Sequence, residues 1–180
     1  MSHSSAFLLP SSATPAASAD AYAVVVLNQR LPRFAPLLWD RAQVRVCADG
    51  GANRVFDGMP ELLPGHARDD VRSRYKPDVI KGDMDSVRPE VKEYYSNLGT
   101  KIADQSHDQD TTDLHKCVAF ITDNSPGSDK SNLCILVLGA LGDNTHMSFG
   151  GLISTSNIVD EDQVMVTSDS DLIWTISLRH

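Results

Sequence analysis

Gly82-Asp83-Met84-Asp85-Ser86 and Asp108-Gln109-Asp110-Thr111-Thr112-Asp113 place five carboxyl groups in two short runs. Two carboxylates about 4 Å apart repel by roughly 4 kcal/mol at an effective dielectric of 20. A fold that brings such groups together holds a cation between them or keeps one of them protonated. Magnesium suits oxygen donors of this kind, because it keeps several waters and bridges to substrate phosphates. The chemistry this predicts is metal-dependent phosphoryl-type transfer. The competing reading is a pair of acidic, solvated turns, since Asp and Ser favour turns for local reasons.

A third run, Asp49-Gly50-Gly51-Ala52-Asn53-Arg54, adds an acid beside two glycines. Gly50 and Gly51 permit close backbone approach to a ligand, and Asn53 or Arg54 can bind phosphate or base. The plainer account of the glycines is a tight strand-to-helix turn. Thr111 and Thr112 can cap a following helix, with Asp113 favourable in its first turn. His107 and His115 flank the second acidic run, where a lone histidine is more often a surface hydrogen-bonding group than a ligand.

These residues need elements to position them. Ala21 to Leu27 is a continuous apolar run, as expected of a strand buried on both faces. Leu31 to Arg41 has helix-like apolar spacing, and Val44 to Ala48 is a second strand ending at the Asp-Gly-Gly turn. The alternation continues with a strand over 78–81, a helix over 89–98, a strand over 100–103 and a helix over 111–122. It ends in Leu133-Cys134-Ile135-Leu136-Val137-Leu138, the most apolar strand. This is the grammar of an α/β domain with an open, mainly parallel sheet and flanking helices. In such a sheet ligands bind outside the carboxyl ends of the strands, where all three runs fall. After Gly142 the pattern changes to three short strands, over 149–155, 163–167 and 172–178, without helices. The expected division is a disordered tail over 1–20, an α/β nucleotide-binding domain over 21–142, and over 144–180 a fragment of an antiparallel β-sandwich domain. Three strands need a sheet to join or a partner chain to cover them.

With 180 residues, 41% of them hydrophobic, the chain can build one ordinary core. A net charge of −8 with no compensating Lys/Arg run argues against a nucleic-acid partner. No apolar run reaches the length of a membrane span. Cys47, Cys117 and Cys134 are odd in number and widely spaced, which fits free thiols in the cytosol better than a disulfide framework. There is no G-x-x-x-x-G-K-[ST], no G-x-G-x-x-G and no G-x-S-x-G, so P-loop, dinucleotide and serine-hydrolase readings fall away.

The blocks Cys47 to Arg54, Lys81 to Ser86 and Asp108 to Asp113 resemble those of the thiamine pyrophosphokinases, the plant members most of all. Leu152-Ile153-Ser154-Thr155-Ser156-Asn157 resembles the second-domain motif of that family. The resemblance implies transfer of a pyrophosphoryl group from ATP to thiamine, giving thiamine diphosphate and AMP. It implies a homodimer with active sites shared between subunits. It also implies magnesium on Asp83, Asp85 and Asp113, Asp49 near the reacting groups, nucleotide or phosphate on Gln109 and Thr112, and thiamine on Ser154 and Asn157. Asp49 or Asp83 is the expected acceptor of the thiamine hydroxyl proton.

The chain departs from the family after Leu138-Gly139-Ala140-Leu141-Gly142. There the family continues with a Gly-Arg-Phe-Asp motif and most of the β domain, whereas this chain passes to Asp143-Asn144-Thr145-His146. An internal deletion is the expected cause. It leaves two rival readings beside the kinase: an impaired ATP- and metal-binding or dimerising variant, and a magnesium-dependent phosphohydrolase.

Overall fold

The computed structural model describes residues 22–108, 111–124, 134–141, 163–168 and 173–177. Its elements run β1 (Tyr22–Val26), α1 (Ala35–Arg41), β2 (Val44–Ala48), α2 (Gly51–Leu62), α3 (Arg68–Arg74), β3 (Val79–Gly82), α4 (Pro89–Asn97), β4 (Lys101–Asp104), α5 (Asp113–Asn124), β5 (Cys134–Leu141), β6 (Gln163–Ser168) and β7 (Ile173–Ser177).

The strands form one sheet in the order β4-β3-β2-β1-β5-β6-β7. Every pairing from β4 through β6 is parallel, and β7 alone runs antiparallel, against β6. The open, parallel α/β sheet expected from the alternating pattern is therefore present. The strands at 163–168 and 173–177 continue that sheet, so the sandwich expected there is not seen among the described residues; the strand expected over 149–155 lies outside them.

Successive strand side chains point to opposite faces, and the core divides accordingly. Tyr22, Val24 and Val26 pack with Leu38, Trp39, Val55, Met59 and Tyr95, under α1, α2 and α4. Ala23, Val25, Val46, Ile135 and Val137 pack with Leu114, Cys117, Val118 and Ile121 of α5. Val24, Val25 and Val26 are all fully buried, and each contributes on the order of 2 kcal/mol by leaving water. Covering both faces explains why β1 has no polar position.

Local signals set the helix starts. Pro89 opens α4, where a missing N–H costs nothing. Thr112 caps α5, its Oγ1 accepting from His115 N at 3.3 Å. α3, with sequence RDDVRSR, buries only Val71. One apolar residue sets no period, so nothing in the pattern announced it.

Candidate active site

The chain leaves β1 for α1, β2 and β3 in one direction, then returns after β4 through α5 to place β5 on the other side of β1. α5 thus crosses one face of the sheet and brings its N-terminus to the carboxyl ends of β2 and β3. Three carboxylates meet there: Asp49 after β2, Asp83 after β3 and Asp113 in the first turn of α5. One oxygen of each lies within 4.8 Å of the others.

Asp49 is 2% exposed and sits at φ 41, a conformation that Asp tolerates better than most residues. Its N–H donates to Lys81 O at 2.9 Å, which extends the β2–β3 ladder by one residue. Its carboxylate turns inward and accepts from Ser86 N and Val87 N, both at 2.9 Å. Burial holds its pKa above the ordinary 3.8, against the lowering effect of those two donors.

Gly82, at φ 154, lets Asp49 and Asp113 approach. A Cβ there would lie 2.8 Å from Asp49 Cβ and 2.9 Å from Asp113 Oδ1. The Asp83 side chain follows, with Oδ1 buried and without a hydrogen-bond partner. Burial also raises the pKa of Asp113, followed by the charges of Asp83 and Asp49. Lys116 and the backbone N–H of Asp83 oppose the rise.

Asp85 stands outside the converging three. It is exposed, and Ser86 Oγ donates to its Oδ1 at 2.8 Å. That hydroxyl, together with hydrogen bonding to Asp49, holds its pKa below the ordinary range. Among the described residues the group within 4.8 Å is thus Asp49, Asp83 and Asp113, with Asp85 next to it.

The glycines serve packing as well as access. A Cβ on Gly51 would overlap the Val26 carbonyl oxygen, and one on Gly50 would overlap the Asn28 side chain. Asn53 does not reach outward: Nδ2 donates to Ser86 O at 2.9 Å and Oδ1 accepts from Arg88 N at 3.0 Å. Arg54 is exposed and donates from Nε to Asn28 Oδ1 at 3.0 Å. The Thr112 hydroxyl is engaged as the cap of α5. His107 is exposed, in the turn that follows β4. Gln109, Ser154 and Asn157 lie outside the described residues.

Two residues went unforeseen. Asn28 stands just beyond β1, beside the point where the strand order reverses between β1 and β5. Its signal was its place after the first apolar run. Lys116 is buried, three residues along α5 from Asp113, with Nζ 3.7 Å from Asp113 Oδ1. Helical spacing alone would have paired them.

An open α/β sheet with converging carboxylates at its carboxyl edge defines the class: an enzyme fold with a site suited to phosphoryl chemistry. The family model described as thiamin pyrophosphokinase, catalytic domain, matches residues 35–165. Thiamine pyrophosphokinase 1 of Oryza sativa subsp. japonica is 56% identical over 260 residues, covering 100% of this chain and 98% of that protein. Thiamine pyrophosphokinase 3 of the same organism is 57% identical over 259 residues, covering 100% and 97%. A solved thiamin pyrophosphokinase from Candida albicans superposes with a TM-score of 0.63 at 28% identity, covering 82% of this chain. The chain spans 57% of the length of that structure. The chain belongs to the thiamine pyrophosphokinase family. The first rice alignment runs over 260 positions while the chain has 180 residues, so about 80 positions of the alignment hold no residue of this chain.

Proposed function

We propose that the acidic site of Asp49, Asp83 and Asp113 is where this chain passes the terminal diphosphoryl group of ATP to thiamine. The hydroxyethyl oxygen of thiamine forms a bond to the β-phosphorus, and the bond from that phosphorus to the oxygen of AMP breaks. The hydroxyl proton passes to a carboxylate, Asp49 or Asp83, and AMP leaves with the bond's electron pair. The observation that carries this reading is the convergence of three carboxylates within 4.8 Å, one of them Asp83, whose Oδ1 is buried without a hydrogen-bond partner.

Those donors fit magnesium, a hard cation that takes oxygen ligands. Asp83, Asp85 and Asp113 would hold it, with Asp49 beside them, and when bound it would neutralise charge on the phosphates. The remaining work belongs to the chain. Gly50 and Gly51 open the N-terminus of α2 to a phosphate, where backbone N–H groups and the helix dipole favour negative charge. Arg54 supplies a cation beside the end of β1. Gln109 and Thr112 are proposed to contact nucleotide or phosphate, and Ser154 with Asn157 to contact thiamine.

The same reading makes 21–142 the nucleotide-binding domain and 144–180 what remains of the thiamine-facing one, shortened by a deletion after Gly142. Supporting it are the 260-position alignment of a 180-residue chain and the acidic runs, which all precede that point. A cytosolic homodimer is part of the proposal. Cys47 and Cys117, buried free thiols, fit the compartment. Among the described residues no helix is long and apolar enough to cross a membrane.

The test is a product assay with ATP, magnesium and thiamine. Thiamine diphosphate and AMP in equal amounts support the proposal. Inorganic phosphate released without thiamine would replace it with the phosphohydrolase, and metal-dependent ATP binding without AMP with the impaired variant.

A further inference from the structure

We infer that Asn53 is a positioning residue that moulds the acidic loop from Asp83 to Arg88, and does not itself touch phosphate or base. The inference rests on the acidic-site reading above. The loop has no ladder of its own: it lies between β3 and α4, and Met84 stands at φ 65, where a side chain is strained. Its backbone groups must therefore find partners elsewhere.

They find them on one segment. Asp49 takes the N–H of Ser86 and of Val87, and Asn53 takes the N–H of Arg88 and gives to the carbonyl of Ser86. Three consecutive N–H groups and one C=O are thus satisfied by two side chains four residues apart. Asp57, four residues further along α2, accepts from Arg88 Nη2 at both carboxylate oxygens, at 3.0 and 2.9 Å. Asn53 and Asp57, four apart, share one face of α2, and with Asp49 just ahead of the helix they hold 86–88. Only an amide of this length both donates to Ser86 and accepts from Arg88. A carboxylate keeps the acceptor alone, and an alkyl group keeps neither.

The consequence is that Asn53 acts through Asp83 and Asp49, whose separation depends on the loop path. The experiment uses the full chain and its Asn53→Ala variant, with three readouts. These are hydrogen exchange of the Ser86, Val87 and Arg88 amides, magnesium affinity by calorimetry, and ATP affinity without metal. The expected result is loss of protection at those amides and magnesium binding about tenfold weaker, the size usual for groups that orient metal ligands. Metal-free ATP affinity stays as in the wild type. Protection and magnesium affinity intact, with metal-free ATP affinity reduced, would overturn the inference and make Asn53 a direct ligand. If Asn53→Ala does not fold, Asn53→Asp, which retains the acceptor for Arg88, must show exposure of Ser86 and Val87 exceeding that of Arg88; uniform protection overturns it. A wild type that binds no magnesium sinks the metal reading alone, since amide exchange still decides whether Asn53 holds the loop.

Discussion

Nζ of Lys116 lies 3.7 Å from Oδ1 of Asp113, and the lysine side chain is 3% exposed. A lysine so buried is held there by a charge partner. It gives the acidic cluster a resident cation, one turn inside α5. Removing it leaves Asp113 facing Asp49 and Asp83 without an opposite charge. Lys116→Met is expected to destabilise the metal-free protein by about 2 kcal/mol at pH 7, a value reduced from the fully buried case because Asp113 is partly exposed. The loss should shrink at lower pH, where Asp113, its pKa raised chiefly by burial, takes up a proton. Denaturant unfolding at neutral and at lower pH is the check, and an equal loss at each would assign Lys116 to packing alone.

Asp49 and Asp113 both have folded-state pKa values raised above the ordinary 3.8, chiefly by burial. The folded state then binds protons more tightly than the unfolded chain. Their contribution is fully present below 3.8 and is lost as pH rises through the folded values. Metal-free protein should therefore lose stability as pH climbs from about 4 toward neutrality, and Asp113→Asn should flatten that slope. Tm measured across this range in chelator is the test. A slope that survives in Asp113→Asn would place its origin elsewhere.

Asp83→Asn removes one charge from the cluster. Relief of repulsion predicts a metal-free protein more stable by on the order of 1 kcal/mol. Magnesium-dependent ATP binding should weaken in the same variant. Calorimetry with and without magnesium decides the point, and unchanged magnesium affinity would remove Asp83 from the site.

Gly82→Ala puts a methyl group 2.8 Å from Asp49 Cβ and 2.9 Å from Asp113 Oδ1, on a backbone at φ 154. Strain and crowding should cost about 2 kcal/mol and splay the carboxylates. Magnesium affinity should fall with stability. A variant as stable and as tight as the wild type would mean that the turn at Gly82 has room to spare.

Restoring the family segment after Gly142 should raise thiamine diphosphate production well above that of this chain. The sequence over 163–177 is rich in apolar residues, Val164, Val166, Ile173 and Trp174 among them, and strands of this kind need a full domain or a partner to cover them. Exposed apolar strands favour association, so the chain is expected to be oligomeric or poorly soluble. Chromatography and turnover of both forms provide the comparison, and a soluble monomer with turnover equal to the restored form would remove the case for the segment.

Much of this architecture was legible because its signals are local. Val24, Val25 and Val26 leave no polar position, so burial on both faces followed from composition. The acidic runs marked strand ends because each follows a short apolar segment. Asp49 was placed near Asp83 and Asp113 by the family resemblance, but the contacts that turn its carboxylate toward them, from the Ser86 and Val87 backbone, were not legible. The Ser86 and Arg88 backbone that engages the Asn53 amide was not legible, because those partners lie more than thirty residues along the chain. The sheet's continuation through β6 was hidden as well, because pairing order is a long-range property that short strands do not encode.

The place of β1 at the centre of the sheet has a consequence for synthesis of the chain. Its partner β5 begins at Cys134, so a strand made among the first residues waits for more than a hundred others before its second side is paired. Until then, a nascent chain on the ribosome carries Val24, Val25 and Val26 along an open sheet edge. Contacts so distant in sequence slow folding and prolong exposure. A product terminated shortly before Cys134 would hold every acidic residue of the site, yet leave the middle of its sheet as the place where another chain can add.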